Sequence, residues 1–227
     1  MDKRYDLIRT RLIESNQVRS LVLEQCADDI IRAADAIAHS FAAGGKLLLC
    51  GNGGSAADCQ HLAAEFVSRL RKDFERRALP ALALTTDTSF LTAYANDCGY
   101  DGVFARQIEA FANRGDVVIG ISTSGSSPNI VRALQQASTA GCITIALVGE
   151  GGCLREIADI TVSIPSSKTQ YIQECHLSVE HLLCELVEET LFVRTGEGQS
   201  TTAVRSTTES QPTIERVLCS EISGEPL

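Results

Sequence analysis

Apolar residues recur at helical spacing over residues 3–43, where Leu7, Leu12, Ile13, Val18, Leu21, Val22 and Leu23 are followed by Ile30, Ile31, Ala34, Ile37 and Ala38. The pattern predicts two helices or one broken helix. Gly44-Gly45 ends it, and KLLLCG (46–51) follows as an unbroken apolar run of strand length. After the loop Gly51-Asn52-Gly53-Gly54, helical spacing resumes from Ser55 to about Leu70. The alternation repeats with a strand over 79–85, a helical stretch over 88–112 and a strand over 116–122. Pro128 opens a helix to about Ala140, suited as proline is to a first helical turn. Strands over 142–149 and 160–165 and a long helix over 169–193 complete the series. Buried, β-branched strands alternating with helices predict an α/β fold: one five-stranded parallel sheet flanked by helices, a flavodoxin-like three-layer sandwich with N-terminal helices. The domain spans 1–194. Residues 195–227, dominated by Gly, Ser, Thr, Gln and Glu, read as a flexible tail.

Composition narrows the function more than the fold. The 227 residues are 44% hydrophobic and 22% charged, as in ordinary globular domains. No apolar run approaches the ~20 residues that cross a bilayer. The opening MDKRYDLIRTRLIES lacks the apolar stretch of an export signal, so a cytoplasmic location is expected. Nine cysteines, an odd number with no CxxC pair, read as reduced thiols and argue against a zinc knuckle. A net charge of −9 disfavours a nucleic-acid surface. A phosphorylated ligand must then be held by local dipoles and hydrogen-bond donors.

Two strand-to-helix junctions offer such donors, and in a parallel sheet both fall at the carboxyl edge, where ligands bind. In GNGGSA the glycines permit positive φ and close backbone approach, and Ser55 is placed to cap a helix whose first amides form an anion site. A plain glycine turn with a serine cap would look the same. The second junction, STSGSSPN, puts five hydroxyls within residues 122–127, directly before Pro128. Structural need explains one or two of them. Hydroxyls and amides together can surround a phosphate monoester without lysine.

Four further side chains can move protons or bind metal. His61 and Glu65 share a helical face, one turn apart. Gln173 and His181 lie ~80° apart around the last helix, with His176 as a competitor. Each taken singly is compatible with a structural role, and their joint value requires the two helices to meet. Asn96-Asp97 sits at a break between helical stretches, where turn chemistry alone could account for it.

The strings GNGGSAADCQHLAAEF, TDTSFLTAYANDCGYDGVFARQI, ISTSGSSPNIVRAL and IQECHLSVEHLLCELVE, in this order, resemble the phosphoheptose isomerase family of the SIS (sugar isomerase) superfamily over about residues 5–193. The resemblance implies substrate binding by Asn52, Gly53, Gly54, Ser55, Asn96, Asp97, Ser122, Thr123, Ser124 and Ser127, with His61, Glu65, Gln173 and His181 lining the cleft. It implies conversion of sedoheptulose 7-phosphate to D-glycero-D-manno-heptose 7-phosphate; since that reaction needs one base and one acid or shuttle, Glu65 is the candidate base for the carbon-bound proton and His181 the candidate for proton exchange at the oxygens. It also implies zinc on His61, Glu65, Gln173 and His181, no nucleotide cofactor, and a homotetramer whose active sites lie at subunit interfaces, bringing distant helices together. A rival class within the same fold comprises non-catalytic scaffolds that bind the bacterial replication initiator. Those lack the acidic residue and the second histidine that this chain keeps as Glu65 and His181. Sugar-phosphate-sensing regulators carry an appended DNA-binding domain, for which this chain has no segment.

Overall fold

The computed structural model describes residues 2–193 and the backbone of 199 and 200. The chain begins with one continuous helix, α1 (Lys3–Ala42), rather than two. No glycine or proline interrupts those residues, so nothing in the backbone breaks the helix where its apolar stripe shifts. Burial begins only at Ser15, and Tyr5, Leu7, Ile8 and Leu12 stand in solvent.

The remaining elements are β1 (Leu47–Gly51), α2 (Gly54–Val67), β2 (Phe74–Glu75), β3 (Ala81–Ala83), α3 (Thr88–Cys98), α4 (Val103–Phe111), β4 (Val117–Ser122), α5 (Pro128–Thr139), β5 (Ile143–Val148), α6 (Leu154–Ile157), β6 (Ile160–Ser163), α7 (Thr169–Glu188) and β7 (Gln199–Ser200). The five-stranded sheet runs β3-β1-β4-β5-β6 with every pairing parallel. This is the flavodoxin-like order expected from the alternation of elements. The short helix α6 was not foreseen. The break after α3 falls at Gly99 (φ 88°), so Asn96-Asp97 lies inside the last turn of α3 and not at the break itself. Of the segment read as a flexible tail, only Gln199 and Ser200 are described, paired antiparallel with Phe74 and Glu75; the rest lies outside the described residues.

Both sheet faces are buried. Leu47, Leu49, Val117, Ile119 and Ile121 pack against α1, α2 and α7, while Leu48, Cys50 and Val118 face the other way against α4 and α5. That double burial is why β1 and β4 read as continuous apolar runs instead of alternating. At Gly120 a Cβ would stand 2.7 Å from the Ile130 side chain, so the glycine lets α5 lie close on the sheet. Because the chain leaves β1 for β3 on one side and returns to β4 on the other, a crevice opens between the carboxyl ends of β1 and β4. Both loops singled out in the sequence emerge there.

Candidate active site at the switch point of the sheet

The loop after β1 turns at Gly53 (φ 55°). Gly53, not Ser55, takes the cap position of α2, and no side chain caps that end. Ser55 is already inside the helix and buried, so its expected role as a cap is not observed. Its own backbone carbonyl would lie 2.6 Å from a Cβ at Gly51, so the tight return of the helix onto β1 requires the glycine.

The serine loop folds on itself. Ser122 Oγ lies 3.0 Å from Ser127 Oγ and 3.3 Å from Ser124 Oγ, and Ser124 Oγ accepts from the Ser126 backbone amide and hydroxyl. Ser122 is buried at the strand end, Thr123 and Ser127 are half-buried, and Ser124 and Ser126 face solvent. The hydroxyls thus line one concave turn ahead of α5, where Pro128 occupies the first helical turn as expected. The two loops are bolted together by an amide pair: Asn52 Nδ2 donates to Asn129 Oδ1 (2.9 Å) and Asn129 Nδ2 donates to Asn52 Oδ1 (2.8 Å). Tyr100 Oη also donates to Asn52 Oδ1 (3.2 Å). Asn129 and Tyr100 were missed in the sequence because nothing local ties them to a residue 77 or 48 positions away.

Across the crevice α2 packs on α7. His61 Nε2 and His181 Nε2 are 2.9 Å apart, with rings at 76°, and His61 Nε2 is 3.7 Å from Glu65 Oε1. At that separation one ring nitrogen carries the proton and the other the lone pair, so the two rings share one hydrogen bond. The helices meet within a single chain; a subunit interface is not needed to bring His61 to His181.

Gln173 points elsewhere. Its Nε2 donates to both carboxylate oxygens of Asp58 (3.2 Å each), and it crowds Gly54 so closely that a Cβ there would lie 2.6 Å from Nε2. Burial pushes the Asp58 carboxyl up, against the opposing pull of Gln173 and His61. Asp58, three residues before His61, was legible as a same-face neighbour. Asn96 and Asp97 are exposed, and Asn96 Nδ2 donates to Asp97 Oδ1 (2.8 Å).

Below the cleft α7 carries two enclosed groups. Glu180 is fully buried with neither carboxylate oxygen bonded among the described residues, and burial first, then the charge of Asp58, pushes it up to about 9. His176, also fully buried, has Nε2 3.2 Å from the Val148 carbonyl and an unpaired Nδ1; burial pulls it down to about 4. His176 is therefore a packed link between α7 and β5, which removes it as a competitor for the cleft. As arranged, no three His, Cys, Asp or Glu side chains among the described residues surround one point closely enough to hold a metal ion.

Residues 13–149 match the SIS domain family. Phosphoheptose isomerases of Roseiflexus sp. and Geobacter sulfurreducens are 52% and 51% identical over 179 and 188 residues, covering 78% and 82% of this chain and 90% and 98% of theirs. Among solved structures, the phosphoheptose isomerase of Neisseria gonorrhoeae superposes with TM-score 0.77 at 36% identity over 82% of this chain and 98% of that one. That of Francisella tularensis gives 0.79 at 34% identity over 83% and 100%. The resemblance carried by the four sequence strings and these similarities agree. This chain belongs to the SIS-domain family and, within it, to the phosphoheptose isomerases.

Proposed function

We propose that the chain is an aldose-ketose isomerase converting sedoheptulose 7-phosphate to D-glycero-D-manno-heptose 7-phosphate, a precursor step toward bacterial lipopolysaccharide heptoses. One observation carries the reading. A chain of contacts runs from the serine loop through Asn129 and Asn52 to Gly54, Gln173 and Asp58, and leads along α2 to the His61–His181 pair. A phosphate grip and a proton-moving cluster thus lie along one crevice. His61 is seven residues, or ~10 Å of helix, beyond Gly54. The seven-carbon substrate is supported by the similarity to phosphoheptose isomerases over most of the chain.

Ketose to aldose conversion moves one proton between C1 and C2 and another between the two oxygens. Glu65 takes the carbon-bound proton and returns it to the neighbouring carbon through an enediol. His181 exchanges the oxygen-bound proton, and its partner His61 holds it in one tautomer. Ser122, Thr123, Ser124 and Ser127, with the amides at Gly53, Gly54 and Ser55, hold the phosphate. That remote binding energy fixes the reacting carbons against Glu65. Asn96 and Asp97 belong to the same reading as sugar contacts.

Zinc belongs to it as well. The spacings of 2.9 and 3.7 Å bracket the ~3.3 Å edge of a tetrahedral site with bonds of ~2.0–2.1 Å. His61, Glu65 and His181 would hold the ion after small side-chain rotations, with Gln173 joining once it leaves Asp58, and the proton transfers assigned to Glu65 and His181 belong to the state in which those side chains are not committed to it. Bound there, the metal supplies Lewis-acid polarisation of substrate oxygens. The assembly is a homotetramer with active sites at subunit interfaces, supported by exposed Leu7 (55%), Ile8 (58%) and Leu12 (62%) on α1 and an apolar groove of about 870 Å³ between α1 and α7. The location is cytoplasmic, where phosphorylated sugars are retained by their charge.

The test is incubation of metal-replete and chelated protein with sedoheptulose 7-phosphate and shorter ketose phosphates. Aldose 7-phosphate formed in preference to shorter products is expected. No turnover under either condition would remove the isomerase reading and leave the scaffold.

A further inference from the structure

The Arg76 side chain has no solvent exposure, and Glu188, to which its Nε donates at 2.7 Å, has 4%. A buried guanidinium is costly unless each of its nitrogens finds an acceptor. Arg76 meets that demand with backbone carbonyls: Nη2 donates to Glu65 O (2.8 Å), and Nη1 donates to Phe66 O (2.9 Å), Arg77 O (3.1 Å) and Ser68 O (3.3 Å). The carbonyls of Glu65, Phe66 and Ser68 are those with which α2 ends, and that of Arg77 belongs to the neighbouring residue in Arg76's own segment.

Helix ends leave four carbonyls without intrahelical partners, and a glycine in the left-handed region commonly satisfies them. Here α2 ends on Ser68 at φ −90°, with no basic residue in its own last turn. A guanidinium from the segment just after β2, eight residues beyond Ser68, supplies both the donors and the positive charge that the carbonyl end of a helix attracts. Its other arm reaches Glu188, the last residue of α7 and seven after His181, so the two lie ~20° apart on one face. Directly beyond it, the helix widens into a π-turn over Glu189–Val193.

We propose that Arg76 is a positioning residue for the isomerisation: its buried guanidinium locks the last turn of α2, which carries Glu65, to the end of α7, which carries His181, and so sets the Glu65–His61–His181 geometry. The proposal rests on the isomerase reading for its effect on turnover, but its effect on the histidine pair stands apart from it. Lysine keeps the charge and cannot reach Glu188 and four carbonyls together, whereas Arg76 does so from one planar fork.

Arg76→Lys and Glu188→Gln are compared with the parent in the full chain by steady-state kinetics and by imidazole NMR, which is tractable with four histidines. For Arg76→Lys, kcat is expected to fall at least tenfold with KM changed less than twofold, since the serine loop is untouched. The His61 and His181 resonances should move while exposed His39 stays in place. Glu188→Gln, which retains volume and an acceptor, should lower kcat at least threefold with the same resonances shifted, and it decides the matter if Arg76→Lys does not fold. A folded variant with kcat within twofold and unmoved His61 and His181 resonances would overturn the proposal, as would equal displacement of His39. If the parent shows no turnover, the isomerase reading fails, and the resonances alone still decide for or against the clamp.

Discussion

Gly125 stands at φ 66°, and a Cβ there would lie 2.1 Å from the Gly151 carbonyl oxygen. Left-handed backbone costs an L-residue ~1–2 kcal/mol, and here the obstruction is backbone that cannot swing away. Gly125→Ala is therefore expected to spread the serine loop and raise KM for the sugar phosphate at least tenfold, with a lower melting temperature; kinetics and a thermal melt check both. Glu65 is a different case, half-buried beside His61. Glu65→Gln keeps its shape and removes the base, so kcat should drop by about 10²–10⁴ while the melting temperature stays within a few degrees. Retained turnover would take Glu65 out of the mechanism.

Between elements, α7 is held to the sheet by His176, and this contact carries a pH dependence. Burial pulls its folded-state pKa down to about 4, below the ordinary histidine value of about 6.5. Above pH 6.5 the imidazole is neutral in both states and costs nothing. As pH falls from 6.5 toward 4, the unfolded chain binds a proton that the folded chain excludes, so stability is lost, by on the order of 3 kcal/mol in full. Denaturant melts of parent and His176→Gln from pH 7 to 4 should show that loss in the parent and a flatter curve in the variant. Parallel curves would mean that His176 does not resist protonation.

At the scale of the whole molecule, the first third of α1 stands apolar and exposed among the described residues. Leu7, Ile8 and Leu12 project from the domain on a helix that buries nothing before Ser15. A patch of that kind marks an association surface. Sedimentation velocity on the parent should give about four times the 24.4 kDa chain mass, and Leu12→Glu should shift it to smaller species. An unchanged sedimentation coefficient in the variant would move the interface elsewhere.

The sequence by itself determined the sheet, its five strands, the two loops at its carboxyl edge and the residue types gathered there. Each of these is written in near neighbours: continuous apolar runs, glycines at turns, Pro128 at a helix start. Even its errors were local ones, such as a helix divided where no glycine or proline breaks it, or Ser55 assigned a cap that Gly53 takes. Tertiary structure alone decided that Asn52 pairs with Asn129, that Gln173 turns to Asp58, that His61 meets His181 and that Arg76 closes the end of α2. Three of these contacts join residues 77, 115 and 120 positions apart, and Arg76 bridges to Glu188 across 112. Such pairs depend on how helices dock on a common sheet. Side-chain periodicity says which face of a helix is buried, but not which polar residue of another helix lies opposite it.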